Sequence, residues 1–329
     1  MPDEFRVPSG VVSGITSRMV RTNGVALRVT EAGEGFPVVL CHGFPETAYS
    51  WRHQVRVLAG AGYHVLAPDQ RGFGGSSIPA EVEEYRLDEL AADVVGLLDD
   101  VGAEQGVFIG HDWGSPVLWH AALTYPERVR AVAWLSVPYA PRGSRPPLEV
   151  MREAAGPEHI HYVDYFQEPG VVDREFGDNP RESLLGFLWS ISGDAPREER
   201  FKPIARGRRF LDSLTVPAHL PPWLTEADLQ EYVDSFARTG FSGGLNWYRN
   251  STRNWEDSAR LAGAKVTQPA LFITGSRDPA RNPSAIERLA EWVPKLMGSH
   301  LLMGCGHWTQ QERPEEVNAL LLEWLGKVV

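Results

Sequence analysis

The stretch Gly106-Val107-Phe108-Ile109-Gly110-His111-Asp112-Trp113-Gly114-Ser115 decides the reading of this chain. Gly106 to Ile109 is a short apolar run fit for a buried parallel strand, and from Trp113 to Tyr125 apolar residues recur at helix-compatible spacing. Between them stands the frame of a nucleophile elbow, G-x-nucleophile-x-G, the sharp strand-to-helix turn that exposes one reactive side chain. An esterase or lipase would place serine at its centre, whereas this chain has Asp112. The exchange selects the chemistry. A carboxylate attacking a saturated carbon forms an alkyl ester that water can cleave, while a serine attacking the same carbon would form an inert ether. Asp112 therefore points to substrates with electrophilic sp³ carbons, epoxides or alkyl halides. The plainer reading, an aspartate that merely caps the next helix, leaves the strand, the turn and the paired glycines unexplained.

Working outward, the first part of the chain alternates apolar strands with amphipathic helices, which predicts an α/β fold with a mostly parallel central sheet flanked by helices. The expected strands are 25–30, 38–41, 65–68, 107–110 and 131–136, and the expected helices 87–98 and 115–123. After Pro138 the texture changes to proline-punctuated, aromatic-rich segments of helical and not strand character, so residues 139–264 read as an inserted lid. Strand texture returns at 270–274 and 300–303, and a last helix over 314–326 opens with proline and two glutamates. The core is thus expected to comprise residues 1–138 and 265–329.

Composition narrows the function classes. Of 329 residues, 43% are hydrophobic and 23% charged, ordinary values for a globular protein, and the net charge of −11 offers no basic field for nucleic acid or anionic lipid. The start, Met1-Pro2-Asp3-Glu4-Phe5, lacks a basic and apolar leader pattern and no stretch is long and apolar enough for a membrane span, so a cytoplasmic protein is expected. Cys41 and Cys305 read as buried free thiols. The histidines include His159-Ile160-His161 but no metal-ligand spacing, and no metal site is expected. The glycine-rich run from Arg71 to Ser77 lacks the spacings of a phosphate cradle and reads as a structural turn. Trp113, Trp189, Trp247 and Trp308 fall near candidate site residues, and which of them face a pocket is left open.

An aspartate nucleophile needs a base to activate water in the second step, and two segments offer it. Gly275-Ser276-Arg277-Asp278 follows one late strand and Gly304-Cys305-Gly306-His307-Trp308 the last, so both stand at strand carboxyl ends, where such sheets build their sites. The order nucleophile, acid, histidine is that of the α/β-hydrolase fold. In this reading His307 is the general base, with an ordinary pKa of about 6.5, and Asp278 orients its ring. The tetrahedral oxyanion of ester hydrolysis needs two N–H donors: Trp113, next to the nucleophile, and Phe44, in the loop His42-Gly43-Phe44-Pro45-Glu46.

With these residues in view, the chain resembles the epoxide hydrolases of the α/β-hydrolase fold from about Met19 to Leu325. The motifs that carry the resemblance include His42 to Glu46, Gly110 to Gly114, Tyr165-Phe166-Gln167-Glu168-Pro169-Gly170, Leu245-Asn246-Trp247-Tyr248-Arg249-Asn250 and Gly304 to Gln310. The resemblance implies no cofactor, a small apolar epoxide as partner, and a covalent ester on Asp112. It also implies two lid tyrosines that hold the epoxide oxygen, Tyr162 and Tyr248, with Tyr165 as the alternative for the first. A phenol suits that task, since it can hydrogen-bond an alkoxide and then protonate it while staying neutral at pH 7. Haloalkane dehalogenase remains the rival enzyme, a non-catalytic small-molecule binding protein of the same fold the rival class, and a homodimer is left open.

Overall fold

Short apolar runs in this chain become strands because most are buried on both faces of one sheet. The computed structural model describes residues 14–329, so the reading of Met1 to Phe5 lies outside the described residues. In chain order the strands are β1 Thr16–Thr22, β2 Val25–Ala32, β3 Phe36–Cys41, β4 Tyr63–Pro68, β5 Gly106–His111, β6 Val129–Leu135, β7 His159–Ile160, β8 Ile204–Ala205, β9 Ala270–Gly275 and β10 Leu296–Leu302. Eight of them form one sheet in the order β1-β2-β4-β3-β5-β6-β9-β10, and β7 pairs with β8 apart from it. From β4 to β10 neighbours run parallel, while β1 and β2 add an antiparallel edge. Strands β5 and β9 are buried at every position, the continuous burial a helix-covered parallel sheet demands.

Alternate residues feed two cores. On one face Val38, Leu40, Val107, Ile109 and Leu135 pack with the helices Arg52–Gly60 and Pro314–Val328. On the other, Val39, Phe108, Val132 and Trp134 pack with the helices Leu87–Asp100 and Gly114–Thr124, and this core continues into the segment between β6 and β9. That segment holds the helices Pro147–Ala155, Val171–Asp178, Pro180–Ser190, Glu226–Thr239 and Ser242–Arg249 among shorter ones. It is not purely helical as expected, since β7 and β8 form a small antiparallel pair inside it. The run after Arg71 is the expected turn, closed by Gly72 N–H to Ser77 O at 2.9 Å. Both cysteines are free and buried. No helix among the described residues is long and apolar enough to cross a membrane.

Strand order and register assemble the site. The chain leaves β3 for β4 on one side and β5 on the other, a switch of direction that opens a crevice beyond the strand carboxyl ends. Cys41 pairs with Gly110, His111 with Leu135, Leu135 with Ile273 and Gly275 with Leu302. The loops that follow β3, β5, β9 and β10 therefore rise from one edge, carrying Phe44, Asp112, Asp278 and His307.

Candidate active site

The elbow is as sharp as its glycines allow. Asp112 adopts φ +48°, a left-handed conformation rare outside glycine, asparagine and aspartate. Its flanking glycines are required by contact: a Cβ on Gly110 would lie 2.6 Å from the Gly114 carbonyl, and one on Gly114 would lie 2.1 Å from the Cys41 carbonyl oxygen. Any side chain there would push the helix off β3 and β5.

The three residues expected to act together do meet. His307 Nε2 lies 3.3 Å from Asp112 Oδ2, and His307 Nδ1 lies 2.9 Å from Asp278 Oδ1, which also accepts the Ala280 N–H at 2.8 Å. His307 and Asp278 are buried, and Asp112 opens only partly, toward a cavity. Burial alone would strip the proton from His307. The charge of Asp278 and the hydrogen bonds to Asp112 and Asp278 outweigh it, so the ring is held well above its ordinary pKa. Burial likewise works against the Asp112 carboxylate, but the bond to His307 and that ring's charge hold its pKa below the usual value. Both shifts run in the direction of an imidazolium beside a carboxylate, which differs from the ordinary pKa of about 6.5 expected for His307. The reason is two acidic neighbours where one was counted.

Of the two expected oxyanion donors, the Phe44 N–H donates to Asp112 Oδ1 at 2.9 Å. Among the hydrogen bonds of the described residues none runs from the Trp113 N–H to that carboxylate, although Trp113 opens the helix directly after it.

Several residues that frame the triad escaped the sequence reading. Glu46 is fully buried and accepts four bonds, from Gly43 N–H at 3.0 Å, His111 Nδ1 at 2.7 Å, Gln310 Nε2 at 2.9 Å and Gln311 Nε2 at 3.0 Å. Burial opposes its charge, and the proximity and bond of His111 more than offset that, keeping it ionised. The other ring nitrogen of His111, Nε2, faces the His307 carbonyl at 2.8 Å. Both ring nitrogens thus face acceptors. Ser136 Oγ donates to the same carbonyl at 2.6 Å, and Glu312 accepts from the backbone N–H groups of Gly193, Gly306 and Trp308 at 2.9 to 3.1 Å. The available signal was the polar run Thr309-Gln310-Gln311-Glu312, all of it buried, which is unusual enough to mark a network.

Above the carboxylate stand the tyrosines. The rings of Tyr162 and Tyr248 lie 6.0 Å apart, and both line the two cavities that Asp112 also lines. Burial, followed by the negative charge of Asp112, raises both phenols above their usual pKa, so they remain hydroxyl donors. Tyr165 is placed elsewhere: its hydroxyl donates to Glu175 and its ring packs on Phe210. Gln167 staples the two tyrosine-bearing segments, donating to Val163 O at 2.7 Å and to Tyr248 O at 2.9 Å. One cavity, of about 600 Å³, runs between Phe44, Phe187, Phe201, Phe210 and His159 to His161. The other, of about 430 Å³, runs past Trp113, Trp119, Tyr139 and Trp255. Of the four tryptophans named above only Trp113 lines either cavity. Trp247, Trp308 and Trp189 donate their ring N–H to Arg71 O, Leu188 O and Glu199 respectively.

A parallel sheet with an aspartate at a left-handed elbow, a histidine and an acid on later loops, and a helical insertion above them is an α/β hydrolase, and residues 37–314 match the family described as alpha/beta hydrolase fold. The chain is 51% identical over 313 residues to Epoxide hydrolase A of Mycobacterium tuberculosis, a match covering 94% of this chain and 97% of that one. It is 43% identical over 303 residues to Bifunctional epoxide hydrolase 2 of Sus scrofa, covering 92% of this chain and 53% of that longer protein. The crystal structure of Epoxide Hydrolase A from Mycobacterium thermoresistibile superposes with a TM-score of 0.90 at 50% identity, covering 95% of this chain and 98% of that one. An epoxide hydrolase from an endophytic Streptomyces gives 0.93 at 43% identity, covering 95% and 96%. The chain belongs to the epoxide hydrolases of the α/β-hydrolase fold. Neither the dehalogenase nor the non-catalytic reading has a counterpart among these relatives.

Proposed function

We propose that this enzyme opens an epoxide by attack of Asp112 and releases the diol by hydrolysis of the resulting ester, with residues 139–264 acting as a lid over a core of 1–138 and 265–329. The observation that carries it is the placement of one carboxylate between a histidine on one side and two phenols on the other, at the junction of two apolar cavities. A carboxylate oxygen of Asp112 attacks a ring carbon, the C–O bond of the epoxide breaks, and Tyr162 or Tyr248 gives its proton to the departing oxygen. The imidazolium of His307 returns a proton to the tyrosinate and so becomes neutral.

Formation of the ester also removes the charge of Asp112, one of the neighbours that raised His307. Burial then weighs more heavily, the ring stays neutral, and it can take a proton from water that attacks the carboxyl carbon. The oxyanion forms at the Phe44 N–H, and Trp113 N–H is the second donor we assign. Collapse returns the diol and leaves Asp112 ionised and His307 protonated, the resting pair. Atoms balance as epoxide plus water to vicinal diol.

This cycle predicts an adduct that accumulates. In His307→Gln the nucleophile is still an anion and the phenols still hold a proton for one ring opening, so substrate should be consumed once per enzyme, more slowly than in the parent because His307 no longer reprotonates the tyrosinate, and then stop. Intact mass should rise by the mass of the epoxide, and diol release should fall by a factor of about 10³ or more. Untouched epoxide and an unshifted mass would show that ring opening itself fails without His307 and would overturn this division of the two steps.

The pH dependence follows with a definite sign. Because the raised pKa belongs to the free enzyme, kcat/KM should hold through mild acid and fall on the alkaline side as His307 loses the proton it must supply. Hydrolysis needs the neutral ring, so kcat, where deacylation limits it, should fall in acid. Stopped-flow alkylation and steady-state diol formation between pH 5 and 10 separate the two. Identical acid limbs in both would contradict the exchange of charge described here.

A further inference from the structure

Two phenols can serve one epoxide oxygen only if their hydroxyls come close together. Donors at about 2.7 Å from a shared acceptor can stand no more than about 5.4 Å apart. No hydrogen bond among the described residues joins Tyr162 to Tyr248, whose rings meet edge to face. Tyr162 opens the four-residue helix Tyr162–Tyr165, too short to hold its own position, and Tyr248 lies in the last turn of the helix Ser242–Arg249. Their spacing is therefore set by whatever ties the two segments together.

One side chain spans them. The Gln167 amide donates to Val163 O, next to the first tyrosine, and to Tyr248 O, the backbone of the second, at 2.7 and 2.9 Å. An amide nitrogen carries two hydrogens, and both are spent on this span. Arg249 reaches back the other way, from Nε to Phe166 O at 3.1 Å, but its fork is also committed to Asp173 at 2.5 Å and to Asn246 at 2.8 Å, which anchors it in the rest of the insertion. Gln167 has no such second duty: among the described residues its side chain makes these two hydrogen bonds alone. Tyr248 O also accepts from Ser251 Oγ at 2.7 Å and from the Asn250 N–H, so that end of the tie can open without stranding a carbonyl.

We infer that Gln167 is a positioning residue for ring opening: it sets the spacing of the Tyr162 and Tyr248 hydroxyls, so that both donate to the same epoxide oxygen. The inference rests on the reading of those phenols as oxygen donors. Gln167 lines neither cavity and acts only through the tyrosines. A loosened pair leaves one phenol to carry the developing charge. Cleavage of the ester does not use the phenols, and the His307 loop is braced from Leu188 and Ile191, to which Gln167 makes no bond.

The test measures alkylation by stopped flow, and ester cleavage by diol release in a single turnover, in the parent enzyme and in Gln167→Met and Gln167→Glu, with a melting curve for each. Gln167→Met, similar in length but without donors, should slow alkylation by roughly 10- to 100-fold, the scale of a misplacement of about 1 Å, while ester cleavage changes little. Gln167→Glu should be as slow near neutral pH, where a carboxylate only accepts, and should recover as the pH falls and a carboxyl hydrogen restores one donor. Gln167→Met should show no such recovery. The decisive arm repeats both changes in Tyr248→Phe. With one phenol left there is no spacing to set, so each should cost no more than about twofold beyond Tyr248→Phe alone. Losses that multiply in full, ester cleavage slowed as much as alkylation, or a Gln167→Glu enzyme indifferent to acid would each overturn the inference. A harmless Tyr248→Phe beside a damaging Gln167→Met would instead fault the reading of the phenols as oxygen donors.

Discussion

Asp112→Ala is expected to lose diol formation by a factor of roughly 10⁴ or more, since the bond-forming atom itself is removed and the remaining groups only bind and polarise. The fold should survive. The side chain faces a cavity, where it meets the Phe44 N–H and His307, and its backbone already holds φ +48°, where alanine is less at ease than aspartate by a cost of about 1–2 kcal/mol. Circular dichroism and a melting curve check that cost separately from activity. The same assignment has a positive signature in the parent enzyme. In a single turnover in ¹⁸O water the diol should carry an unlabelled oxygen from Asp112, because water attacks the carboxyl carbon and leaves its label in the enzyme. Diol labelled from solvent in the first turnover, or an alanine variant of near-normal activity, would transfer the attack from Asp112 to water.

The second large effect concerns the phenols. Tyr162→Phe and Tyr248→Phe should each slow alkylation by roughly 10²-fold, the usual loss for a donor to developing oxyanion charge. The double change should stop it almost entirely, for no proton source would remain beside the epoxide oxygen. Because both side chains pack among aromatic rings, the loss of a hydroxyl disturbs little else: Tyr248 meets Phe44, Trp113 and Phe166 edge to face. A haloalkane of matching length is the control, since halide leaves without a proton. Fast halide release that survives the double change would assign the site to dehalogenation. Tyr165→Phe should be nearly silent, because that hydroxyl is committed to Glu175; damage there with a harmless Tyr162→Phe would exchange their roles.

Legibility from sequence followed the strength of the local pattern. The elbow could be read because one short segment carries strand, turn and helix signals together, and Asp278 and His307 because each follows a strong apolar run. Strand β1 was missed, since Thr16–Thr22 buries only Val20 and Thr22, and an exposed Met19 beside Val20 with a buried threonine at the end hides the alternation in residue type. The helix Arg52–Gly60 was missed because Arg-His-Gln opens it, although Gln54 is buried and donates to Gln310 O and Asn318. Strand β10 was read too short for a like reason: from Leu296 its residues alternate between partial and full exposure at the sheet edge. The tryptophans could not be sorted, because an indole facing a cavity and one donating to a carbonyl look alike in a one-dimensional pattern. The resting charge of His307 was beyond reach as well, since it depends on two carboxylates brought to opposite sides of one ring by strands far apart in the chain.

The ring of His111 reaches from the residue next to the nucleophile to the carbonyl of His307 itself. It acts as a calliper with one jaw on each reacting partner, and Glu46 locks the hinge from below. All of it lies in the loops of the sheet edge, whereas Tyr162 and Tyr248 ride on the insertion. The insertion nonetheless reaches the base as well as the phenols: Ile191 O accepts the His307 N–H at 3.0 Å and Leu188 O accepts the Trp308 ring N–H at 2.8 Å. Under the mechanism proposed above, a displaced insertion should therefore disturb ester cleavage along with ring opening, since it braces the backbone of the base while carrying both phenols.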